Sequence, residues 1–556
     1  MKVQCAECSS TFATTAEDNT LMKKLSPVIG GKTYELPAPT RCPECRNQRR
    51  LSFRNDKNYY KNTCQLCRKS VISIYAPESG LPVLCQDCFW SDQSDALQYG
   101  MKMDFTQSFF EQFAELKKKV PRLCIFNTQS ENSDYTVHSS RNKNCYMCSS
   151  TLASEDVYFS DYAIDSKDCS DLLMCSKMEL CYRSVNSRQC FGSDYVDLCS
   201  NVTDSYLCFD CHASEGLVGC VSAKNKKFLI LNEPSDKKTV AETIKKLKTD
   251  RAFRKEFRKK FEALKVSLPK REAWNLNAED STGDYLQNAK SVSHSYRSTN
   301  VEDCAYVYDL INGVSCMDTT RGGSCEALYE CKGIIDLKLS CFCNLAYQSD
   351  SLLYCDNANN SSECFGCFGI KKAKHCILNT QYTKEEYEAL VPKIIEHMKK
   401  TGEWGEFFPI QLSSFGYNES TVMEWFPMKK EEVLKRGWKW ADYEQKPPKD
   451  LKAIDASRLP DTIDDVPDDI LNYVIAAEDG KPFRIIPQEL AFYRKRGLPL
   501  PHKHPHARIA ELQKLENPRK LYARSCGKCG KGINTTYAPE RPETVYCESC
   551  YLAAVY

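Results

Sequence analysis

Six Cys-x2-Cys pairs near the two ends constrain this chain more than any other feature: Cys5/Cys8, Cys42/Cys45, Cys64/Cys67, Cys85/Cys88, Cys526/Cys529 and Cys547/Cys550. A turn of this spacing presents two thiolates to one metal ion, and two such turns complete a tetrahedral shell. The sets Cys64, Cys67, Cys85, Cys88 and Cys526, Cys529, Cys547, Cys550 share one spacing, C-x2-C-x17-C-x2-C, which reads as a zinc ribbon. The set Cys5, Cys8, Cys42, Cys45 has a longer central loop. Four thiolates leave no open coordination position, so the expected role is structural, with about three Zn2+ per chain. The rival reading, a redox Cys-x2-Cys, needs a βαβ context that the flanking residues do not supply.

The surrounding composition favours metal over disulfide. The chain has 556 residues and 33 cysteines, an odd number. Its first residues, MKVQCAECSS, carry no apolar segment of a secretory leader, so a cytoplasmic location is expected. No apolar run approaches the roughly 18 residues that span a bilayer, so no membrane partner is expected. The net charge is only +2, which confines any nucleic-acid affinity to local patches.

An internal duplication organises the two ends. Leu36–Cys88 aligns without a gap onto Leu498–Cys550: Asn55 and Tyr60 answer Asn517 and Tyr522, and YAPE at Tyr75 answers YAPE at Tyr537. The C-terminal copy of the first ribbon is degenerate. Ala476, Asp479, His504 and Ala507 replace Cys5, Cys8, Cys42 and Cys45. The expected outcome is a metal-free unit packed on Phe483, Leu490, Phe492 and Tyr493, with His504 left open as a ligand.

Between the modules lie two related cysteine-rich blocks, 124–235 and 285–380; GCVSAKNKKFLILN from Gly219 matches GCFGIKKAKHCILN from Gly366. Cys145, Val157, Cys169 and Cys181 are spaced by twelve residues, as are Cys304 and Cys316, and Cys331, Cys343 and Cys355. Short β-favouring triplets between Ser/Asp/Asn turns at a fixed period predict a β-solenoid with small side chains stacked inside. Buried thiols filling that core are the first reading of these cysteines. Extra metal at Cys145/Cys148, Cys208/Cys211 or Cys364/Cys367 is the second.

The expected fold is therefore mainly β with helical linkers (α+β), with tandem zinc ribbons at both ends flanking two solenoid-like blocks. Its units are two ribbons (1–95), an amphipathic helical connector (96–123), block one (124–235) and a basic helical segment (236–284). Block two (285–380), a Trp-rich segment with an acidic Pro-rich linker (381–470), and the degenerate ribbon with the last zinc ribbon (471–556) follow. Residues 236–272 hold 14 Lys/Arg against six Asp/Glu. Residues 404–440 carry Trp404, Trp425, Trp438 and Trp440, read as a cap on the end of a block.

CAECSSTF, LPAPTRCPECRNQRR and CQLCRKSVISIYAPE resemble the "probable zinc-ribbon" domain of many bacterial proteins. With ILNTQYTKEEYEALVPKI, FFPIQLSSFGYNES, RIIPQELAFYRKRGLPLP and YAPERPETVYCESCY, the whole chain is similar to uncharacterised large zinc-ribbon proteins of candidate-phylum bacteria. That resemblance implies architecture and zinc. It implies no reaction.

Three functions compete. Binding of nucleic acid or a ribonucleoprotein would use Arg46, Arg49, Arg50, Arg54, Lys57, Lys61 and Arg68 on phosphates, with Tyr59 stacking on bases. A protein-interaction scaffold would use the lateral surface of the blocks. An enzyme is the weakest reading: the eight histidines form no HExxH, there is no Walker or Rossmann glycine loop, and no small-molecule substrate is suggested.

Overall fold

Residue i of each central block pairs in parallel with a residue twelve further on. Val157 faces Cys169, Ser170 faces Tyr182 and Asp194 faces Tyr206; in the second block Tyr308 faces Thr320, Thr320 faces Lys332 and Lys332 faces Asn344. The computed structural model from which this is read describes residues 2–443 and 451–555. It is a mixed α/β structure whose two large sheets contain ten and thirteen strands.

A sequence with so many short polar runs builds long ladders because the chain turns at every third residue. From Gln129 through Asn132, Tyr135, His138 and Arg141 onward, each third residue adopts a positive φ near +50°. Such corners cost little for Asn, Asp and Gly and more for other residues. Where asparagines occupy equivalent corners they form ladders: Asn277 donates to Asn288, Asn288 to Asn300 and Asn300 to Asn312, at 2.8–3.0 Å. Inside, Cys145, Val157, Cys169 and Cys181 are buried in one core. The Cys181 thiol donates to the carbonyls of Glu179 and Cys190, both at 3.3 Å.

The modules straddle the two ladders with a pseudo-twofold logic. The strand Val83–Leu84 of the second ribbon pairs with Arg122–Leu123 at the start of the first ladder. Its equivalent Val545–Tyr546 pairs with Lys270–Arg271 before the second ladder. The helix Pro43–Leu51 reaches across to the second ladder, where Arg46 Nε meets Asp318 Oδ2 at 2.6 Å. The equivalent Arg508, on the helix Pro505–Gln513, meets Asp171 of the first ladder at 3.6 Å. Asp171 and Asp318 are related by the same offset that relates Gly219 to Gly366. Each module thus starts one ladder and clamps the other.

The connector helix Phe109–Lys119 buries Phe109, Phe113 and Leu116 against the second ladder, together with Val391, Ile394 and Ile395 of the helix Lys384–Thr401. Trp404 joins that core. Trp438 does not cap a ladder: it stacks on Tyr417 at 5.5 Å, in a core shared with Leu51 of the first ribbon. Phe483, Leu490, Phe492 and Tyr493 share a core with Tyr158, Phe159 and Tyr182 of the first ladder. Among the described residues no helix is long and apolar enough to cross a membrane.

Candidate metal centres and basic surfaces

Each predicted cysteine set converges. The four sulfurs of Cys5/Cys8/Cys42/Cys45, of Cys64/Cys67/Cys85/Cys88 and of Cys526/Cys529/Cys547/Cys550 lie within 4.8 Å of one another. A tetrahedral Zn–S4 shell with bonds of about 2.3 Å has an S···S edge of about 3.8 Å. That edge is present in all three: Cys8–Cys42, Cys67–Cys85 and Cys529–Cys547 are each 3.8 Å apart.

The local folding is shared too. After the first knuckle the chain turns through a positive φ at Ser9 (59°), Arg68 (64°) and Gly530 (74°). The turn is closed by backbone N–H donation from those residues to the carbonyls of Cys5, Cys64 and Cys526, each at 3.0 Å. The second knuckle then donates a backbone N–H to the first sulfur: Cys42 N to Cys5 Sγ at 3.3 Å, Cys85 N to Cys64 Sγ at 3.3 Å and Cys547 N to Cys526 Sγ at 3.2 Å. Burial pushes the Cys64 and Cys526 thiols up, but these and neighbouring backbone N–H groups outweigh it and bring both to about 6. A thiolate is thus favoured at one ligand of each of these two sites. The three clusters are compatible with about three zinc ions, held in closed, structural sites.

The degenerate copy gathers no such set. Among the described residues no group of three potential ligands forms around Asp479 and His504. His504 Nδ1 instead accepts the backbone N–H of His506 at 3.2 Å. Burial, reinforced by Lys481, lowers His504 to about 4; burial, then His504, Lys57 and Lys481, lower His506 to about 3. Both rings are neutral at pH 7.

The arginines expected on phosphates face inward. Arg46, Arg49, Arg50 and Arg54 are at most 5% exposed. Arg46 pairs with Asp318, Arg49 with Glu330 and Glu406 at 2.7 Å each, Arg50 with Asp318 and Glu330 at 3.4 Å each, and Arg54 with Asp56 at 2.7 Å. Their assignment to nucleic acid is corrected: positions 46, 49 and 50 form one helical face, and that face is buried on the second ladder. Lys57 pairs with Glu424 at 2.6 Å, and the half-buried Tyr59 donates its hydroxyl to the Asp56 carbonyl at 3.1 Å. Only Lys61 and Arg68 of the predicted set are exposed.

The open positive surface lies elsewhere, on the helices Lys237–Thr249 and Arg251–Ser267. Their apolar faces bury Val240, Leu247, Phe257 and Phe261, leaving the lysines and arginines largely toward solvent. Where the second helix meets the first ladder and the C-terminal module, a cavity of about 230 Å3 is lined by the basic Arg251, Arg254, Arg258 and Lys503 and by Tyr182 and Tyr195, with Asp461, Glu478 and Glu511 also on its walls. Glu478 lies 4.0 Å from Arg251, and Glu511 pairs with Lys503. Arg258 lies over the Tyr195 ring at 5.1 Å. Among the described residues no carboxylate is within 4.0 Å of Arg254 or Arg258. The excess of basic residues in 236–272 pointed to this surface; the cavity itself was not legible, since it joins three distant segments. No protein-family model matches the chain, and no curated protein matches it.

Proposed function

We propose that the chain is a non-enzymatic, zinc-organised protein of the cytoplasm that binds single-stranded nucleic acid, free or within a ribonucleoprotein, on its basic helix pair. The observation that carries this reading is the cavity in which basic residues outnumber the three acidic ones and in which, among the described residues, Arg254 and Arg258 have no carboxylate within 4.0 Å, beside two tyrosine rings. Guanidinium groups with free donors match phosphate oxygens, and each phosphate neutralised releases counterions. The closed four-thiolate sites serve the scaffold. The twelve-residue register with a corner at every third residue supports reading the ladders as two β-solenoids, which hold the modules and the basic helices in fixed relation. A protein-interaction scaffold is the second reading, supported by Ile335 and Leu339, which are 44% and 63% exposed on the second ladder.

The test is a salt titration of single-stranded RNA binding. Arg254→Glu with Arg258→Glu should weaken binding at every sequence and flatten the slope of log K against log salt by about 1.4, the value for two phosphates on a single strand. Wild-type protein that binds no strand at low salt would leave the scaffold reading in its place.

A further inference from the structure

A cleft of about 710 Å3 borders the degenerate ribbon. This is within the range of about 300–1,000 Å3 typical of small-molecule sites. One wall is a run of edge-to-face rings. Tyr59 meets Tyr135 at 5.7 Å, Tyr135 meets Tyr146 at 5.4 Å and Tyr146 meets Phe159 at 5.8 Å. Tyr135 and Tyr146 are only half-buried, so their rings are presented to the cleft as well as to each other. The cleft is also lined by the exposed Arg484, by Lys57 and Glu419, and by the neutral rings of His504 and His506. The cleft exists where the duplication has diverged: His504 occupies the place of a zinc-binding cysteine in the first module.

Its position ties it to the basic cavity. His502 lines that cavity and His504 lines the cleft, and two residues of chain span at most about 7 Å. The segment Pro499–His506 therefore borders both cavities, Pro499–Lys503 the one with the arginines and His504–His506 the aromatic one. Phosphates suit the first. Flat, uncharged rings suit the second, because any base has a π-face that stacks on tyrosine. The neutral imidazoles in its lining add hydrogen-bonding capacity without charge.

We propose that the aromatic cleft seats an unpaired nucleobase, on the Tyr135 and Tyr146 rings, while the adjoining phosphates lie in the Arg254/Arg258 cavity. The proposal rests on the nucleic-acid reading above and adds a base-binding site to it. The same chemistry would accept a base from a strand or from a free nucleotide.

The experiment compares a ten-residue oligoadenylate, an abasic phosphodiester strand of equal length, and AMP. Tyr135→Ala and Tyr146→Ala should each lower oligoadenylate affinity about tenfold. Abasic-strand affinity and the salt slope should not move, and Tyr146→Phe, which keeps the ring, should bind as the wild type does. AMP bound in a tyrosine-dependent way, with no strand bound, keeps the cleft, assigns it to free nucleotides and sinks the strand reading. Strand binding that is indifferent to both tyrosines, or equal for oligoadenylate and the abasic strand, overturns the cleft and leaves the strand reading standing. Binding of none of the three probes overturns both.

Discussion

Replacing Arg321 by Met should cost about 3–5 kcal/mol, as expected when one partner of a buried ion pair is removed. Arg321 is 6% exposed and joins three segments far apart in sequence. Its Nη1 lies 2.9 Å from Asp56 Oδ2 and 3.1 Å from Asp161 Oδ1, its Nη2 2.9 Å from Asp161 Oδ2, and its Nε 3.7 Å from Asp309. The three carboxylates do not depend on it equally. Asp56 keeps Arg54 at 2.7 Å, and Asp309 keeps Arg297 at 2.6 Å and Arg519 at 2.9 Å. Among the described residues, Asp161 keeps only the Ser149 hydroxyl, at 2.6 Å. The cost therefore arises at Asp161, a 4% exposed carboxylate left without a counter-charge. Met preserves most of the volume, so a cavity adds little. Urea unfolding of the zinc-loaded protein, followed by tryptophan fluorescence and by circular dichroism, measures the loss. Adding Asp161→Leu to the Arg321→Met protein should recover most of it, since no buried charge is then unpaired. A loss under about 1 kcal/mol, the size expected of an exposed pair, or no recovery in the double variant, would refute the reasoning.

Burial raises Asp197 to about 7, only partly offset by Lys265. Its folded value stands above the roughly 3.9 of an unfolded aspartate, so the folded chain holds the extra proton between these limits and loses stability as pH rises through them. Asp197→Asn removes that dependence, and its stability relative to wild type should rise by roughly 2–3 kcal/mol from pH 5 to pH 8 in paired urea titrations. Cys526→Ser should open the last ribbon to protease, because structural zinc supplies much of a small ribbon's folding energy. Cys169→Ser should leave the proteolytic pattern unchanged and cost only a modest core substitution, since that thiol donates to the Lys167 carbonyl at 3.0 Å inside the first ladder and belongs to none of the three four-cysteine sets.

The metal centres were legible because their geometry is nearly all local: Cys-x2-Cys fixes two ligands, and only the pairing of knuckles needs the fold. Likewise, the spacing of Cys145, Val157, Cys169 and Cys181 appears unchanged in the backbone register. The corners at every third residue were not legible, since Tyr135, Phe159 and Leu180 occupy them alongside Asn and Asp, and no composition marks the site. The arginines of the first ribbon misled for a different reason. A charged face at helical spacing looks the same in sequence whether it meets water, phosphate or Asp318 and Glu330 some 270–280 residues away. Both clefts share this difficulty, because their walls come from the first ladder, the C-terminal module and further segments distant in sequence.

Metal analysis of the purified protein, by mass spectrometry of the intact native chain, tests the central claim most directly. Three complete sets of four thiols at tetrahedral edge length predict three zinc ions per chain, lost together with one folded ribbon each on chelation. Two or fewer would contradict the assignment of these sets, and four or more would mean that cysteines within the ladders, or His504, also bind metal.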